Sequence, residues 1–297
     1  MRVGFIGVGS IGFPMCQNVI AGGHQVAIHD LARAKAEPLL AKGATWASSA
    51  ADAVRGAEVV MTSLPGPRET KAVMEGAGVL RALEPGAVWC EMSTTDAEQL
   101  RRHAAAAKAR GADALECPVT GGVRNAYKGK ITIFVGGEAA VFERARPVLA
   151  STSAKQFHMG PLGAAMTTKL ITNMLCFVHE QALIEALMIG KRADIDLRTL
   201  VDAIQSSYGA SFVAGVDTAK IFDGTYNTTF SIALALKDMA LMTAEADALG
   251  VPLDLARFVM ARMEKAQARF GPGADCLAVA QLSEAETGIS LRPRRPA

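Results

Sequence analysis

The chain has 297 residues, 50% of them hydrophobic, and a formal net charge of +2 at pH 7. This length suits roughly two domains with a substantial core, and the small net charge gives no argument for nucleic acid or a membrane surface as partner. The five cysteines are scattered without a CxxC pair, which indicates neither a disulfide framework nor a metal site and predicts a cytoplasmic location.

The N-terminal stretch is unusual because no Asp, Glu, Lys or Arg occurs from Val3 to His29. A secretory signal or a membrane-spanning helix is disfavoured, since glycines and a proline interrupt the apolar run. A spanning helix would also have to bury Gln17, Asn18 and His24. The absence of charge is instead typical of a loop that holds an anionic ligand.

The segment RVGFIGVGSIG predicts a short strand followed by a GxGxxG motif at a strand-to-helix junction. In this motif Gly7 allows the tight turn, Gly9 lets the backbone approach a pyrophosphate, and Gly12 lets helix and strand pack closely. The helix N-terminus then presents N–H groups and the positive end of its dipole to the phosphates. The predicted cofactor contacts in this loop are Gly7, Gly9, Ser10, Ile11 and Gly12.

A second strand, HQVAIHD, ends at Asp30, which lies 18 residues beyond Gly12. The acid that binds the adenosine ribose is expected about 20 residues beyond the glycines. Its carboxylate would accept hydrogen bonds from the ribose and repel a 2′-phosphate, which favours NAD over NADP. Because Arg33 and Lys35 follow directly and would weaken this preference, NADP stays open as the alternative cofactor.

Strand and helix signals keep alternating over the first half of the chain. Buried strands end at Leu64-Pro65, at Ser93-Thr94 and at Pro118, and KITIFVGG supplies another. This alternation predicts an α/β fold of the Rossmann type, with a doubly wound, mostly parallel sheet covered by helices. Ligands of such sheets bind at the carboxyl ends of the strands, where Leu64-Pro65, Ser93-Thr94 and Thr120-Gly121-Gly122 all fall.

The pattern changes between Gly160 and Gly163, after which strand signals vanish and helical periodicity dominates. We therefore predict a dinucleotide-binding domain over residues 1–162 and an all-helical substrate and oligomerisation domain over residues 163–297. The segment AAMTTKLITNMLCFVHEQALIEALMIGKR predicts one long helix of roughly 40 Å that joins them. Charged residues within this segment exclude a membrane span.

Lys169 and Asn173 are four residues apart on this helix and therefore share a face. A solvated surface lysine is the ordinary alternative, but the helix begins where the nucleotide domain ends, so its first turns should border a cleft. Burial and a nearby nicotinamide ring would lower the pKa of Lys169. Such an amine suits a general base for an alcohol proton, and its ammonium form suits the reverse step.

Two further segments carry candidate ligand groups. Thr120 supplies a hydroxyl, and the N–H groups of Gly121 and Gly122 suit a substrate carboxylate, with a structural glycine bulge as the alternative. The pair Lys237-Asp238 lies within an apolar helix, where a structural ion pair and a ligand-facing role are both open.

Several motifs in fixed order, spanning nearly the whole chain, resemble the β-hydroxyacid dehydrogenase family, which includes 3-hydroxyisobutyrate dehydrogenase and tartronate semialdehyde reductase. The motifs are GFIGVGSIGFPMCQNVIAGGH, SLPG, EMSTTD, CPVTGGVRNAYKGK, GPLGAAMTTKLITNML and KDMAL. The resemblance implies an NAD(P)-dependent oxidoreductase that transfers a hydride between nicotinamide and a small β-hydroxy acid or its semialdehyde. A homodimer or homotetramer is expected from the many apolar positions of the helical domain.

The resemblance also implies residue roles. Lys169 is implied to be the catalytic lysine, and the implied substrate contacts are Thr120, Gly121, Gly122 and Asn173. Beyond the glycine loop and Asp30, the implied cofactor contacts are Leu64, Pro65, Thr94 and Lys237. No metal is implied.

The chain departs from the family pattern at Ile11, Glu91, Thr120, Thr172 and Asn125, where Met, Asp, Ser, Asn and Gly are more usual. The last departure leaves the shape of the substrate loop open. Candidates for substrate selection are Arg124, Tyr127, Tyr208, Phe212 and the loop near Tyr226.

Other functions stay open. Within the family, the alternative is a short-chain semialdehyde or glyoxylate reductase. An imine reductase has the same architecture but typically lacks the lysine, and a phosphogluconate-type enzyme is disfavoured by the short chain. A non-catalytic dinucleotide-binding module that recognises a protein partner is the non-enzyme alternative. The basic tail LRPRRPA is expected to fray.

Overall fold

The computed structural model describes residues 1–293, which form two compact units, Met1–Lys169 and the chain from Leu170 onward. The end of the basic tail, residues 294–297, lies outside the described residues. Within residues 1–293, no helix combines the length and the apolar character that crossing a membrane requires. The domain boundary at residues 162 and 163, the separate domain roles and the cytoplasmic location stay predictions.

The first unit is built on a nine-stranded sheet. Its strands are β1 (Arg2–Ile6), β2 (Gln25–His29), β3 (Thr45–Trp46), β4 (Val59–Thr62), β5 (Val88–Glu91), β6 (Asp113–Glu116), β7 (Val119–Thr120), β8 (Ile131–Gly136) and β9 (Ser153–Gly160). The order is β3-β2-β1-β4-β5-β6-β8-β7, with β9 paired to β8. The strands from β3 to β6 are parallel. The predicted doubly wound, mostly parallel Rossmann-type sheet is therefore confirmed.

Helices cover both faces of this sheet. They are α1 (Gly12–Ala21), α2 (Glu37–Leu40), α3 (Ala50–Val54), α4 (Pro67–Lys71), α5 (Val79–Ala82), α6 (Ala97–Lys108), α7 (Gly122–Tyr127) and α8 (Ala139–Thr152), with a 3₁₀ turn at Arg33–Lys35 and a π-helical turn at Ala72–Gly76. Successive residues of a strand enter different cores: in β5, Val88 and Cys90 pack in one cluster and Trp89 in the other. Burial on both faces explains why these strands read as continuous apolar runs.

The far edge of the sheet departs from the simple βα alternation. β8 runs antiparallel to β6 and β7 but parallel to β9. β9 has no regular alternation of buried and exposed residues, so the segment SAKQFHMG carries no strand signal in the sequence. This strand continues the sheet up to residue 160.

The long helix α9 spans Ala164–Arg192 as predicted; it begins in the first unit, and most of its length belongs to the second. The other helices are α10 (Leu197–Gln205), α11 (Phe212–Val216), α12 (Thr218–Asp223), α13 (Ile232–Ala248), α14 (Asp254–Phe270) and α15 (Ala278–Thr287). Residues 161–293 contain no β-strand, only an isolated bridge between Ser231 and Asp275. The predicted all-helical second half is therefore confirmed.

Candidate active site

The strand register brings five strand ends to one edge of the first unit. Ile6 pairs with both His29 and Thr62, Thr62 pairs with Glu91, and Glu91 pairs with Glu116. Each of these residues is the last of its strand. The loops that follow them therefore share the carboxyl edge of the sheet, where ligands of doubly wound folds bind.

The glycine loop after β1 has the backbone that a dinucleotide requires. Gly7 has φ +91°, and a Cβ there would collide with the carbonyl oxygen of Ser63. A Cβ on Gly12 would collide with the carbonyl oxygen of Gly7, so the helix packs closely on the strand end. At Gly9, by contrast, no atom of the described chain beyond Gly9 and its two neighbours in sequence lies within 4 Å of the Cβ position. The loop is thus tightly packed at two glycines and open at the third, which leaves room for a phosphate to approach the backbone.

Helix α1 begins at this loop without a competing anion. Among the described residues, no side chain caps it, and its first turn carries no acid. The Phe13 N–H donates to the Gly9 carbonyl at 2.9 Å and shapes the turn. The positive end of the helix dipole is therefore available to a bound pyrophosphate, and the residues present fit a dinucleotide.

Asp30 follows β2 and holds the glycine loop. Its Oδ2 accepts the Val8 N–H at 2.9 Å, and its Oδ1 accepts the Ala32 N–H at 2.9 Å. Each carboxylate oxygen has a second lone pair, so these bonds leave capacity for ribose hydroxyls. Arg33, which would weaken the preference for NAD, forms an ion pair with Glu37 at 3.1 Å.

A buried hydrogen-bond chain fixes the loops after β4 and β5. The Trp89 indole N–H donates to the Thr62 hydroxyl at 2.8 Å, and that hydroxyl donates to Glu91 Oε2 at 2.9 Å. Glu91 Oε1 accepts the Ser93 N–H at 2.8 Å, and the Ser93 hydroxyl accepts the Leu64 N–H at 2.8 Å. The structure thus brings together the two predicted cofactor segments, Leu64-Pro65 and Ser93-Thr94. The sequence marks Glu91 only as a departure, because its partners are distant along the chain.

The backbone conformation of the predicted substrate loop requires glycine at two positions. Gly121 and Gly122 are exposed and have φ values of +115° and +74°, a region that strains other residues. Asn125 donates from Nδ2 to the Gly121 carbonyl at 2.9 Å. Thr120 lies directly before, partly buried at the end of β7. The departure at Asn125 therefore stabilises the glycine turn.

Glu116 lies at the end of β6 and is fully buried, and no local pattern in the sequence marks it as a functional residue. Its Oε2 accepts the Met166 N–H at 2.8 Å, and its Oε1 accepts the Gly163 N–H. Burial raises the pKa of Glu116, while these N–H donors and the Arg101 charge oppose that rise. The carboxylate thus connects the sheet edge to the start of α9. Lys169, on the second turn of α9, is only 9% exposed.

In the second unit, three predicted or adjacent residues form one polar cluster. Asn173 donates from Nδ2 to Asp238 Oδ2 at 2.6 Å. Lys237 Nζ lies 2.9 Å from Asp238 Oδ1, and Asp238 is 3% exposed. The Lys237-Asp238 ion pair left open by the sequence therefore exists, and it is tied to Asn173.

The candidates for substrate selection differ in exposure. Arg124, Tyr127, Tyr208 and Phe212 are exposed on their own units. Tyr226 is buried, and its hydroxyl donates to Glu284. The side chain of Tyr226 thus belongs to the core of the second unit.

A cavity of about 470 Å³ in the first unit is lined by none of the predicted site residues. Arg55, Pro85 and Arg110 line it, and they precede β4, β5 and β6 respectively. It therefore lies at the amino ends of these strands, the edge opposite the glycine loop. Over residues 1–293, no group of three or more His, Cys, Asp or Glu side chains is placed to hold a metal ion.

Sequence profiles of two protein families match consecutive parts of the chain. The NAD binding domain of 6-phosphogluconate dehydrogenase matches residues 2–160. The NAD-binding domain of NADP-dependent 3-hydroxyisobutyrate dehydrogenase matches residues 163–283. The chain is also 31% identical to 2-(hydroxymethyl)glutarate dehydrogenase of Eubacterium barkeri, over 98% of this chain and 97% of that protein. The chain belongs to the β-hydroxyacid dehydrogenase family.

The chain is also similar to two other dehydrogenases, one in sequence and one in structure. The NAD-dependent L-serine dehydrogenase of Pseudomonas aeruginosa is 32% identical, over 85% of this chain and 88% of that protein. The structure of Mycobacterium tuberculosis 3-hydroxyisobutyrate dehydrogenase with L-serine matches with a TM-score of 0.88 and 28% identity, covering 95% of this chain and 98% of that one. Membership makes this protein an NAD(P)-dependent oxidoreductase that acts on a CH–OH group, with small hydroxy acids as the substrate class.

Proposed function

We propose that this protein is an NAD-preferring 3-hydroxy acid dehydrogenase that interconverts a small β-hydroxy acid, of the 3-hydroxyisobutyrate type, and its semialdehyde. One observation carries the proposal: Lys169 is buried on a helix whose first turn is bonded to Glu116. Glu116 is the last residue of β6, and the next strand, β7, leads into the glycine turn Gly121-Gly122. A buried amine suits proton exchange with the hydroxyl of a substrate whose carboxylate that turn would bind.

The substrate-binding groups in this proposal are the Thr120 hydroxyl and the N–H groups of Gly121 and Gly122. They bind the substrate carboxylate, because glycine turns can direct N–H groups toward an anion. Asn173 orients the reacting hydroxyl, one helical turn from Lys169.

The proton is handled by Lys169. The neutral amine accepts the hydroxyl proton during oxidation, and the ammonium returns it during reduction. Bound NAD supplies the hydride acceptor at its nicotinamide ring. Its proposed contacts are the glycine loop (Gly7, Gly9, Ser10, Ile11 and Gly12), Asp30, Leu64, Pro65, Thr94 and Lys237.

The preference for NAD rests on Asp30, because its carboxylate would repel a 2′-phosphate. The NAD dependence of the serine dehydrogenase relative supports this preference. The family profile that matches residues 163–283 is named for an NADP-dependent enzyme. Because this relative and this profile are named for different dinucleotides, the activity test compares NAD with NADP as well as the substrates.

The substrate type follows from what two relatives are named for. L-serine and 2-(hydroxymethyl)glutarate are both acids with a CH₂OH group on the carbon that carries a carboxylate. The proposed site needs this feature, because the carboxylate turn and Lys169 act on adjacent parts of the molecule. The remaining substituent is the part that differs between the two acids.

A substrate panel tests the proposal, with NADH and NADPH absorbance as the readout. The panel contains 3-hydroxyisobutyrate, 3-hydroxypropionate, glycerate, L-serine and 2-(hydroxymethyl)glutarate. The matched control is 4-hydroxybutyrate, whose hydroxyl lies one carbon further from the carboxylate. We expect turnover with at least one 3-hydroxy acid and a smaller kcat/KM with the control. No turnover of any 3-hydroxy acid with either dinucleotide would contradict the proposal.

A further inference from the structure

We propose that Glu116 is a positioning residue for this reaction, because its buried carboxylate fixes the first turn of α9 and thereby the place of Lys169. The inference rests on the proposed function of Lys169. Glu116 itself contacts the backbone at the start of α9 and is not proposed to exchange a proton with the substrate.

The contacts of Glu116 divide between its two oxygens. Oε1 accepts the Gly163 N–H, and Oε2 accepts the Met166 N–H at 2.8 Å. The carboxylate is therefore bonded to the backbone on both sides of Ala164, where α9 begins. The first N–H groups of a helix have no partner within the helix. A carboxylate at this end satisfies them and interacts favourably with the helix dipole.

The surroundings leave the carboxylate little freedom to move. A Cβ on Gly136 would collide with Glu116 Oε1, so the side chain fills the space beside the β8 backbone. Gly163 has φ +109°, and a Cβ there would lie 2.7 Å from Arg101 Nη1. The positive charge of Arg101 favours the ionised form of Glu116. The carboxylate is thus held from the sheet side and from the helix side.

The turn that Glu116 holds is also bonded internally. The Thr167 hydroxyl donates to the Gly163 carbonyl at 2.9 Å, and the Thr168 hydroxyl donates to the Ala164 carbonyl at 2.8 Å. Lys169 follows directly and lies three residues beyond Met166, less than one helical turn of about 3.6 residues. A shift of the first turn would therefore move the Lys169 backbone with it. A misplacement of about 1 Å can cost about 10²-fold in rate.

The variant Glu116→Gln tests the inference with little change in shape. Its single amide oxygen cannot serve both sides of the helix start, and its NH₂ group would face an N–H donor. The matched control is Asp196→Asn: Asp196 Oδ1 accepts the Thr199 N–H at 2.9 Å at the start of α10, which carries none of the proposed site residues. Glu116→Asp keeps the charge and both acceptor oxygens and serves if the Gln variant does not fold.

The readouts are kcat per NADH-binding site, the Kd for NADH, and the rate at which an amine-reactive reagent labels Lys169 in the NADH-saturated protein. We expect kcat to fall by about 10-fold or more in Glu116→Gln, with a smaller loss in Glu116→Asp. NADH affinity and the Asp196→Asn control should keep their wild-type values. The labelling rate of Lys169, relative to the other lysines, should change in Glu116→Gln, change less in Glu116→Asp and stay at the wild-type value in Asp196→Asn.

An unchanged kcat per NADH-binding site in Glu116→Gln would overturn the inference while leaving the proposed function intact. Equal losses in Glu116→Gln and Asp196→Asn would also overturn it, since they would show only a general effect of removing a helix cap. If the wild-type protein turns over no hydroxy acid, the proposed function fails, and the labelling rate alone then decides whether Glu116 positions Lys169.

Discussion

Asn173 donates a hydrogen bond of 2.6 Å from Nδ2 to Oδ2 of the buried Asp238. Because a carboxylate accepts but does not donate, this bond fixes which end of the amide faces Asp238. The other carboxylate oxygen lies 2.9 Å from Lys237 Nζ. One buried carboxylate on α13 therefore holds both the residue proposed to orient substrate and a residue proposed to contact the cofactor.

Asp238→Asn should lower kcat/KM by about 10-fold or more, because a hydrogen bond to a charged group contributes about 1.5–3 kcal/mol. The substituted amide loses the ion pair with Lys237 and no longer fixes the orientation of Asn173. Steady-state kinetics measure the effect. Asp247→Asn is the matched control, since Asp247 also lies on α13 but forms an exposed ion pair with Arg257. Equal effects of the two substitutions would refute a specific role for Asp238.

Asp30→Asn should reduce the ratio of kcat/KM with NAD to kcat/KM with NADP by about 10-fold, one tenfold step being about 1.4 kcal/mol. The substitution removes the charge that repels a 2′-phosphate but keeps an acceptor for the Val8 or Ala32 N–H. The measurement compares both dinucleotides with wild-type protein and variant. A wild-type preference for NADP would overturn the argument from Asp30.

Glu180 gives a test of stability that is independent of catalysis. It lies on α9 at 3% exposure, and the Cys176 and Cys276 thiols donate to its Oε1 at 3.6 Å and 3.8 Å. Burial, and then the charge of Asp217, raise the pKa of Glu180 from 4.5 to about 8. Burial also raises the pKa of Cys276, which keeps that thiol protonated and able to donate.

The folded state therefore keeps the Glu180 proton between pH 4.5 and about 8, whereas the unfolded chain releases it. Stability should fall as pH rises through this window, by up to about 1.4 kcal/mol per pH unit. Glu180→Gln should remove this part of the pH dependence and be more stable than wild type above the window. Denaturant unfolding across this range measures the difference, with the exposed Glu264→Gln as control. A pH dependence in Glu180→Gln identical to wild type would be the contrary result.

The sequence predicts the parts of this protein that have local signals. The glycine loop, Asp30 and the Ala164–Arg192 helix each have a pattern of spacing or periodicity, and the structure has the predicted elements at these places. β9 is not predicted, because its exposed residues carry no alternation. An element is therefore predicted where its residues show a regular local pattern, and it is missed where they do not.

The polar contacts that support the site are of a different kind. The hydrogen bond between Glu116 and Met166 joins residues 50 positions apart in sequence, and that between Asn173 and Asp238 joins residues 65 apart. Such pairs form because the fold brings together groups that have no common local pattern. A single sequence therefore indicates the candidate Lys169 and Asn173 but not the carboxylates that hold them.

The proposed reaction depends on the Lys169 amine, which exchanges the substrate proton. The most direct measurement is kcat for Lys169→Ala and Lys169→Arg with the best 3-hydroxy acid, at a pH where wild type is fully active. Both variants should lose at least about 10²-fold, since arginine keeps the positive charge but does not release a proton in this range. The exposed Lys265→Ala is expected to turn over normally. Near-normal turnover in either Lys169 variant would contradict this role of Lys169.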